Sequence, residues 1–193
     1  MSDQYGFIEI IKSITELPQD QEEKFKKLIT IQPINKGDDY IRAGESARKI
    51  AFVREGLFRY YYTSEDGVEY TKGFFDQNSV LSAYDAILEG KPSYFTIESL
   101  EESIIESVSY DPFVKLFDED PCWNEFLVAL LQKGYLAKVT RERELLLLDA
   151  TQRYENFLDR YPDLENRVKQ NIIASYLGIA PESLSRIRKN QMS

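Results

Sequence analysis

Gln170-Asn171-Ile172-Ile173-Ala174-Ser175-Tyr176-Leu177-Gly178-Ile179-Ala180-Pro181-Glu182-Ser183-Leu184-Ser185-Arg186-Ile187-Arg188-Lys189 has the spacing of a helix, a tight turn and a second helix. Two helices that cross closely need a small residue at the crossing, and Ala174 stands there. Four positions later, Gly178 provides the tolerance for positive φ that ends the first helix. Pro181 suits the first turn of the second helix, where its missing N–H costs nothing. Ile173, Leu177, Ile179, Leu184 and Ile187 form the apolar face that fixes the angle between the two helices. The stretch predicts a helix-turn-helix.

The outward face of the second helix presents Glu182, Ser183, Ser185, Arg186 and Lys189. In a DNA major groove, an arginine at 186 can bond guanine O6 and N7 together, and Glu182 can accept from cytosine N4. Ser183, Ser185, Arg188, Lys189 and Asn171 are expected to contact phosphates, which position without specifying. A helical pair that only packs is the alternative. Packing alone does not call for so basic a second helix.

Upstream, the periodicity changes. Phe7, Ile10, Ile11, Ile14 and Leu17 share one helical face, and Pro18 restarts the chain into a short helix containing Phe25, Leu28 and Ile29. From about residue 31 to 109 the period is two. Strands are predicted at 31–36, 39–43, 49–54, 57–63, 68–75, 95–100 and 103–109. Between them lie turns such as Lys36-Gly37-Asp38, Ala43-Gly44-Glu45, Glu55-Gly56 and Ser64-Glu65-Asp66-Gly67. Short strands with Gly-containing turns predict an antiparallel barrel or jelly roll. Residues 79–92 read as a loop or short helix, a place where such a roll can hold a ligand.

Asp111-Pro112 is expected to cap and open a short helix running through Phe117. Asp120-Pro121 then starts a long one, with Asp as N-cap and Pro at the first position. Along it Trp123, Leu127, Leu130, Gly134 and Ala137 step by 4, 3, 4 and 3. This coiled-coil-like seam predicts pairing with a second copy, the alternative being a helix that packs on its own barrel. Asp149-Ala150-Thr151 re-caps a helix through Tyr161, and the bend near Asp149 is the expected domain boundary.

Composition narrows the chemistry. The chain has one cysteine, Cys122, and no histidine. It cannot supply a thiolate-ligated zinc site, an iron–sulfur cluster, a histidine haem ligand or a Ser-His-Asp triad. No cofactor and no catalysis are expected, and a metal-dependent barrel enzyme is disfavoured. Cys122, between Pro121 and Trp123, reads as a small buried side chain rather than a redox sensor. The net charge is −9, but residues 160–193 carry +3 and the preceding residues −12. An acidic body with a basic end fits a molecule that meets DNA at one end. Met1-Ser2-Asp3-Gln4 has no basic and apolar leader character, and the densest apolar run, residues 145–148, is too short for a bilayer. A cytoplasmic protein without membrane contact is expected.

These residues resemble the Crp–Fnr family of bacterial transcription regulators over nearly the whole chain. The resemblance rests on Lys36-Gly37-Asp38 with Ala43-Gly44-Glu45, on Val53-Arg54-Glu55-Gly56, on Asp66-Gly67-Val68-Glu69, and on residues 173–189. Most specific are Ala174-Ser175-Tyr176-Leu177-Gly178-Ile179 and Glu182-Ser183-Leu184-Ser185-Arg186-Ile187-Arg188. The resemblance implies an α+β chain: an antiparallel cyclic-nucleotide-binding-type β-roll flanked by helices, a long dimerisation helix and a C-terminal winged helix-turn-helix. The expected segments are 1–120 for the sensor, 121–148 for the dimerisation helix and 149–193 for DNA binding. It places Glu182 and Arg186 at base-reading positions, with Ser183 and Ser185 nearby.

Two departures alter that expectation. Family members that bind cyclic nucleotides carry a Gly-Glu pair and an Arg-Ser/Thr pair, and residues 79–95 contain neither. Lys91 is the only cation there, and an anionic phosphate buried without a well-placed cation is costly. Cyclic-AMP binding is therefore expected to be lost. Tyr84, Lys91, Ser93 and Tyr94 are the candidates for lining a pocket for another small molecule, unless they merely fill the barrel mouth. Few residues follow the second helix, so the terminal wing is expected to be reduced or absent. Double-stranded DNA, a second copy of the chain, RNA polymerase and an unidentified small-molecule effector are the expected partners. The alternative is a small-molecule sensor or regulatory module whose helix-turn-helix meets another protein.

Overall fold

The computed structural model describes residues 6–191. The chain packs as two units, one formed by residues up to 60 with 74–132, the other by 61–73 with the residues from 133 onward.

The first unit opens with α1 (Phe7–Ile14) and α2 (Gln19–Lys26). The strands follow: β1 (Thr30–Ile34), β2 (Asp39–Ile41), β3 (Lys49–Glu55), β4 (Leu57–Thr63), β5 (Glu69–Asp76) and β6 (Val80–Ser82). After α3 (Tyr84–Glu89) come β7 (Thr96–Ser99) and β8 (Ser103–Ser109). Two four-stranded sheets result, ordered β1-β8-β3-β6 and β2-β7-β4-β5, which is the strand order of a jelly roll. All pairings with a resolved register are antiparallel, for example Ala51 opposite Ser107 on one side and Leu81 on the other. The strand between, β6, falls inside the stretch expected to be loop or short helix. Its three residues bury only Leu81, too little for a period of two to be read.

The central strand β3 shows why the roll needs its helices. Ala51 and Val53 point into the roll with Tyr40, Phe58, Tyr60, Phe95 and Ile105. Ile50 and Phe52 point the other way, to Phe7, Phe25, Phe113, Trp123 and Phe126. Alternation along one strand thus serves two cores, and both faces are buried. The helix layer is closed by α4 (Tyr110–Val114), a 3-10 turn (Lys115–Asp118) and the start of α5 (Cys122–Leu147). The helix expected to open at Asp111-Pro112 instead begins at Tyr110, with no side-chain cap. Asp111 accepts from Arg48 Nε at 2.9 Å, an ion pair that takes its carboxylate away from helix capping. At Asp120 the expected cap is present, its Oδ1 accepting from the Cys122 N–H at 2.9 Å.

One turn is sterically strict. Gly56, between β3 and β4, has φ +103°, and a Cβ there would lie 1.9 Å from Ser103 Oγ. Gly56→Ala combines left-handed strain with a clash against a buried serine. It is expected to cost about 3 kcal/mol, read as a lower urea midpoint with an unchanged slope.

The expected seam on α5 needs correction at its first position. Trp123 is fully buried in the chain's own helix layer, where its Nε1 donates to Gln21 Oε1 at 3.0 Å. Leu127 and Leu130 are half-buried, while Gly134 and Ala137 are exposed. A 4-3 spacing reports one helical face but does not say what covers it.

The second unit contains the β4–β5 turn, the rest of α5, and four further helices. These are α6 (Ala150–Arg160), α7 (Leu164–Arg167), α8 (Gln170–Leu177) and α9 (Pro181–Gln191). Asp149 caps α6 reciprocally with Gln152, at 2.9 and 3.1 Å. Tyr154, Phe157, Leu164, Ile173, Ala174, Tyr176, Leu177 and Leu184 are buried and form its interior. No helix among the described residues is long and apolar enough to cross a membrane. The expectation of a reduced terminal wing concerns positions after Gln191, outside the described residues.

Candidate nucleic-acid interface

The helix-turn-helix is α8 followed by α9. Gly178 ends α8 in the left-handed conformation (φ 66°, ψ 38°), and the Ile179 N–H returns to Ala174 O at 3.1 Å. Pro181 is the first residue of α9, as its chemistry requires. Ala174, with no exposed surface, lets the helices approach, and Leu184 (1% exposed) fills the junction.

Three arginines hold α8 from behind. Arg153 of α6 donates to Leu177 O at 3.0 Å, and Arg141 of α5 donates to Tyr176 O while lying over the Tyr176 ring at 4.0 Å. Both satisfy carbonyls that the end of α8 leaves without helical partners, where cations are also favoured. Arg160 bonds the Tyr176 hydroxyl at 2.8 Å and the buried Glu144 carboxylate at 3.2 Å. Burial lowers the Arg141 pKa from its ordinary value. These cations are committed to the fold. Ser175, on the side of α8 facing the β4–β5 turn, donates to Glu69 O at 2.8 Å and accepts from the Thr71 N–H at 2.9 Å.

Going around α9 at about 100° per residue from buried Leu184, Glu182, Arg186 and Lys189 fall within about 40° of the opposite side. All three are exposed, as is Asn190, which had no expected role. Ser183 and Ser185 flank this face and are half-buried; Asn171 is exposed in the first turn of α8. Six of the seven expected DNA-contacting residues thus lie on the outer α9 face, its flanks or the start of α8. Arg188 differs. It lies about 40° from Leu184 on the inner side, half-buried, with its Nε 2.8 Å from Glu165 Oε1 of α7. The same oxygen accepts from the Tyr154 hydroxyl. Burial, with Glu165 beside it, pushes that hydroxyl up to about 12.

The four residues expected to line a ligand pocket have different surroundings, with Lys91 and Tyr94 next to each other. Tyr84 meets Tyr110 edge-on, with ring centroids 6.3 Å apart, and burial raises its pKa. Lys91 is exposed and pairs with Glu89 at 2.9 Å, which raises its pKa. Ser93 is buried, its hydroxyl spent on Phe95 O at 2.7 Å. Tyr94 is 54% exposed. Inside the roll, Tyr60 stacks between Phe75 (4.1 Å) and Phe95 (5.0 Å), and its hydroxyl accepts from the Ser82 N–H at 2.8 Å. A cavity of about 80 Å³ beside α3 is lined by Ser46, Ala47, Arg48, Ala86, Ile87, Gly90 and Lys91. Of the four candidates, it takes in Lys91 alone.

Sequence reasoning missed the arginine clamp and the Ser175 contact. Arg141 and Arg153 act on carbonyls 35 and 24 positions away, and no local period marks such a pairing.

Comparison with known proteins agrees with this architecture. Residues 31–120 match the model of the cyclic nucleotide-binding domain. Over 171 residues the chain is 23% identical to the fumarate and nitrate reduction regulatory protein of Vibrio cholerae, an alignment covering 81% of this chain and 66% of that protein. The chain thus spans just under two thirds of the length of that relative. Among solved structures, the c-di-GMP-responsive global regulator CLP of Xanthomonas campestris superposes with a TM-score of 0.73 at 20% identity, covering 91% of this chain and 92% of that one. A putative Crp/Fnr-family regulator from Eubacterium rectale gives 0.75 at 16%, covering 91% and 84%. The resemblance read from the sequence holds for the whole fold: β-roll, long helix and helix-turn-helix.

Proposed function

From a chain with the fold of the Crp–Fnr transcription regulators, we propose a homodimeric, sequence-specific regulator that reads double-stranded DNA with α9. One observation carries this most directly. Glu182, Arg186 and Lys189 share an exposed face of a helix whose opposite side is fixed by Leu184 and, through α8, by the arginine clamp. Such a face matches a major groove in width and in donor and acceptor chemistry. Arg186 and Glu182 are the base readers. Lys189, Ser183, Ser185 and Asn171 hold the backbone. RNA polymerase is a further partner by family analogy, and the cytoplasm is the place of action.

Dimerisation is assigned to α5. Residues 131–139 are all exposed, and Val128 (52%), Leu131 (43%), Tyr135 (66%) and Val139 (40%) recur at three- and four-residue steps. An apolar stripe of this kind on a bare helix calls for a partner, and a second α5 supplies one with the same stripe. The seam therefore runs along these residues rather than from Trp123.

The β-roll is read as not binding cyclic AMP. Its interior is occupied by Tyr40, Tyr60, Phe95 and Phe75, and Lys91, the single cation of residues 79–95, is exposed and paired with Glu89. The segment from 1–120 acts as the sensor or its remnant, 121–148 as the dimer helix and 149–193 as the reader. Selection of bound fragments from a genomic pool, followed by fluorescence anisotropy, tests the reading. A two-fold symmetric site with half-sites about 34–36 Å apart is expected, with an affinity that added cyclic AMP leaves unchanged. Failure to enrich any sequence would overturn sequence-specific binding.

A further inference from the structure

We infer that Arg188 is a positioning residue that sets the roll of α9 through Glu165 and Tyr154, and that it does not touch phosphate. The inference rests on the DNA-binding reading and sharpens it. Three helices meet at one carboxylate oxygen: Glu165 Oε1 of α7 pairs with Arg188 Nε of α9 at 2.8 Å and accepts from the Tyr154 hydroxyl of α6. The side chains of Glu165 and Arg188 are 23% and 36% exposed, so the pair is shielded but not sealed.

Its value lies in what Leu184 cannot do. Apolar burial is non-directional, so Leu184 and half-buried Ile187 resist withdrawal of α9 but set its rotation less closely than a polar contact does. A guanidinium held 2.8 Å from a carboxylate that Tyr154 also bonds, about 40° around the helix from Leu184, ties that side of α9 to one point. A roll of about 20° would sweep a guanidinium carried ~6 Å from the axis through roughly 2 Å. Hydrogen bonds to a base edge tolerate about 0.5 Å. The roll angle thus decides whether Arg186 meets its base, and Glu165 holds that angle from inside.

The experiment compares Arg188→Lys, Arg188→Ala, Glu165→Gln and Lys189→Ala on the selected site over a range of salt. Lysine keeps the charge a phosphate would want but has no Nε–H at that position. Arg188→Lys and Glu165→Gln are expected to lose about tenfold in affinity at every salt concentration, and the double variant no more than either alone. Arg188→Ala should leave the salt slope as in wild type, whereas Lys189→Ala flattens it by about 0.9 per subunit. Wild-type affinity in Arg188→Lys, together with a flattened slope in Arg188→Ala, would overturn the inference. Thermal unfolding separates this from the parent reading. Arg188→Ala and Glu165→Gln should each lower Tm by about 1–3 °C without adding, and additive shifts would refute the anchor. Wild-type protein that bound no DNA would sink the DNA reading and leave that cycle to judge the anchor.

Discussion

Arg186→Ala is expected to weaken binding to the selected site by about 5- to 150-fold per half-site, which corresponds to about 1–3 kcal/mol for one lost bidentate contact with guanine. The loss should be selective. At one position in each half-site the variant should accept any base pair, while affinity for unrelated DNA falls only by the share of one cation. Arg186 is exposed on α9, close to opposite the buried Leu184, so its removal leaves no cavity. Unchanged thermal unfolding would confirm that the effect is one of recognition. Anisotropy against a panel of singly substituted sites measures it, and a variant as tight and as selective as wild type would remove Arg186 from the reading face.

The second large effect concerns stability. Trp123→Ala is expected to cost about 3–5 kcal/mol, seen as a fall in Tm of roughly 10 °C in calorimetry. Trp123 has no exposed surface, lies 5.1 Å from the Phe25 ring and 5.6 Å from the Phe113 ring, and donates to the buried Gln21. Truncation opens a cavity among rigid aromatics and leaves the Gln21 oxygen without this donor. The dimer should persist in light scattering below the transition, because the proposed seam runs through Leu131 and Tyr135. A variant of near-native Tm that had become monomeric would return Trp123 to the seam.

Much of the fold could be read from residue types because local chemistry and tertiary packing agree. The strands at 57–63 and 103–109 were expected with the bounds now observed. Asp120, Pro121, Asp149 and Gly178 mark helix ends by mechanisms that do not depend on the rest of the chain. Other features were not readable in this way, each for a physical reason. The strand at Val80–Ser82 is too short to show a period. Trp123 lies on a face whose partner the spacing leaves open. Arg188 counts as one positive charge in sequence, and only the fold brings Glu165 to it. At the candidate interface, the exposed face of α9 follows from the helical period once Leu184 is taken as buried. The clamp behind α8 joins residues far apart along the chain, so no local pattern announced it.

The central claim is that the acidic chain meets DNA through the small basic face of α9. Its most direct test is the salt dependence of wild-type binding to the selected site, between about 50 and 200 mM. A dimer that brings two cations, Arg186 and Lys189, to the DNA in each half-site should give a straight plot of log affinity against log salt, with a slope of about −3.6. Affinity that does not change with salt would contradict the account and place the helix-turn-helix against a protein surface instead.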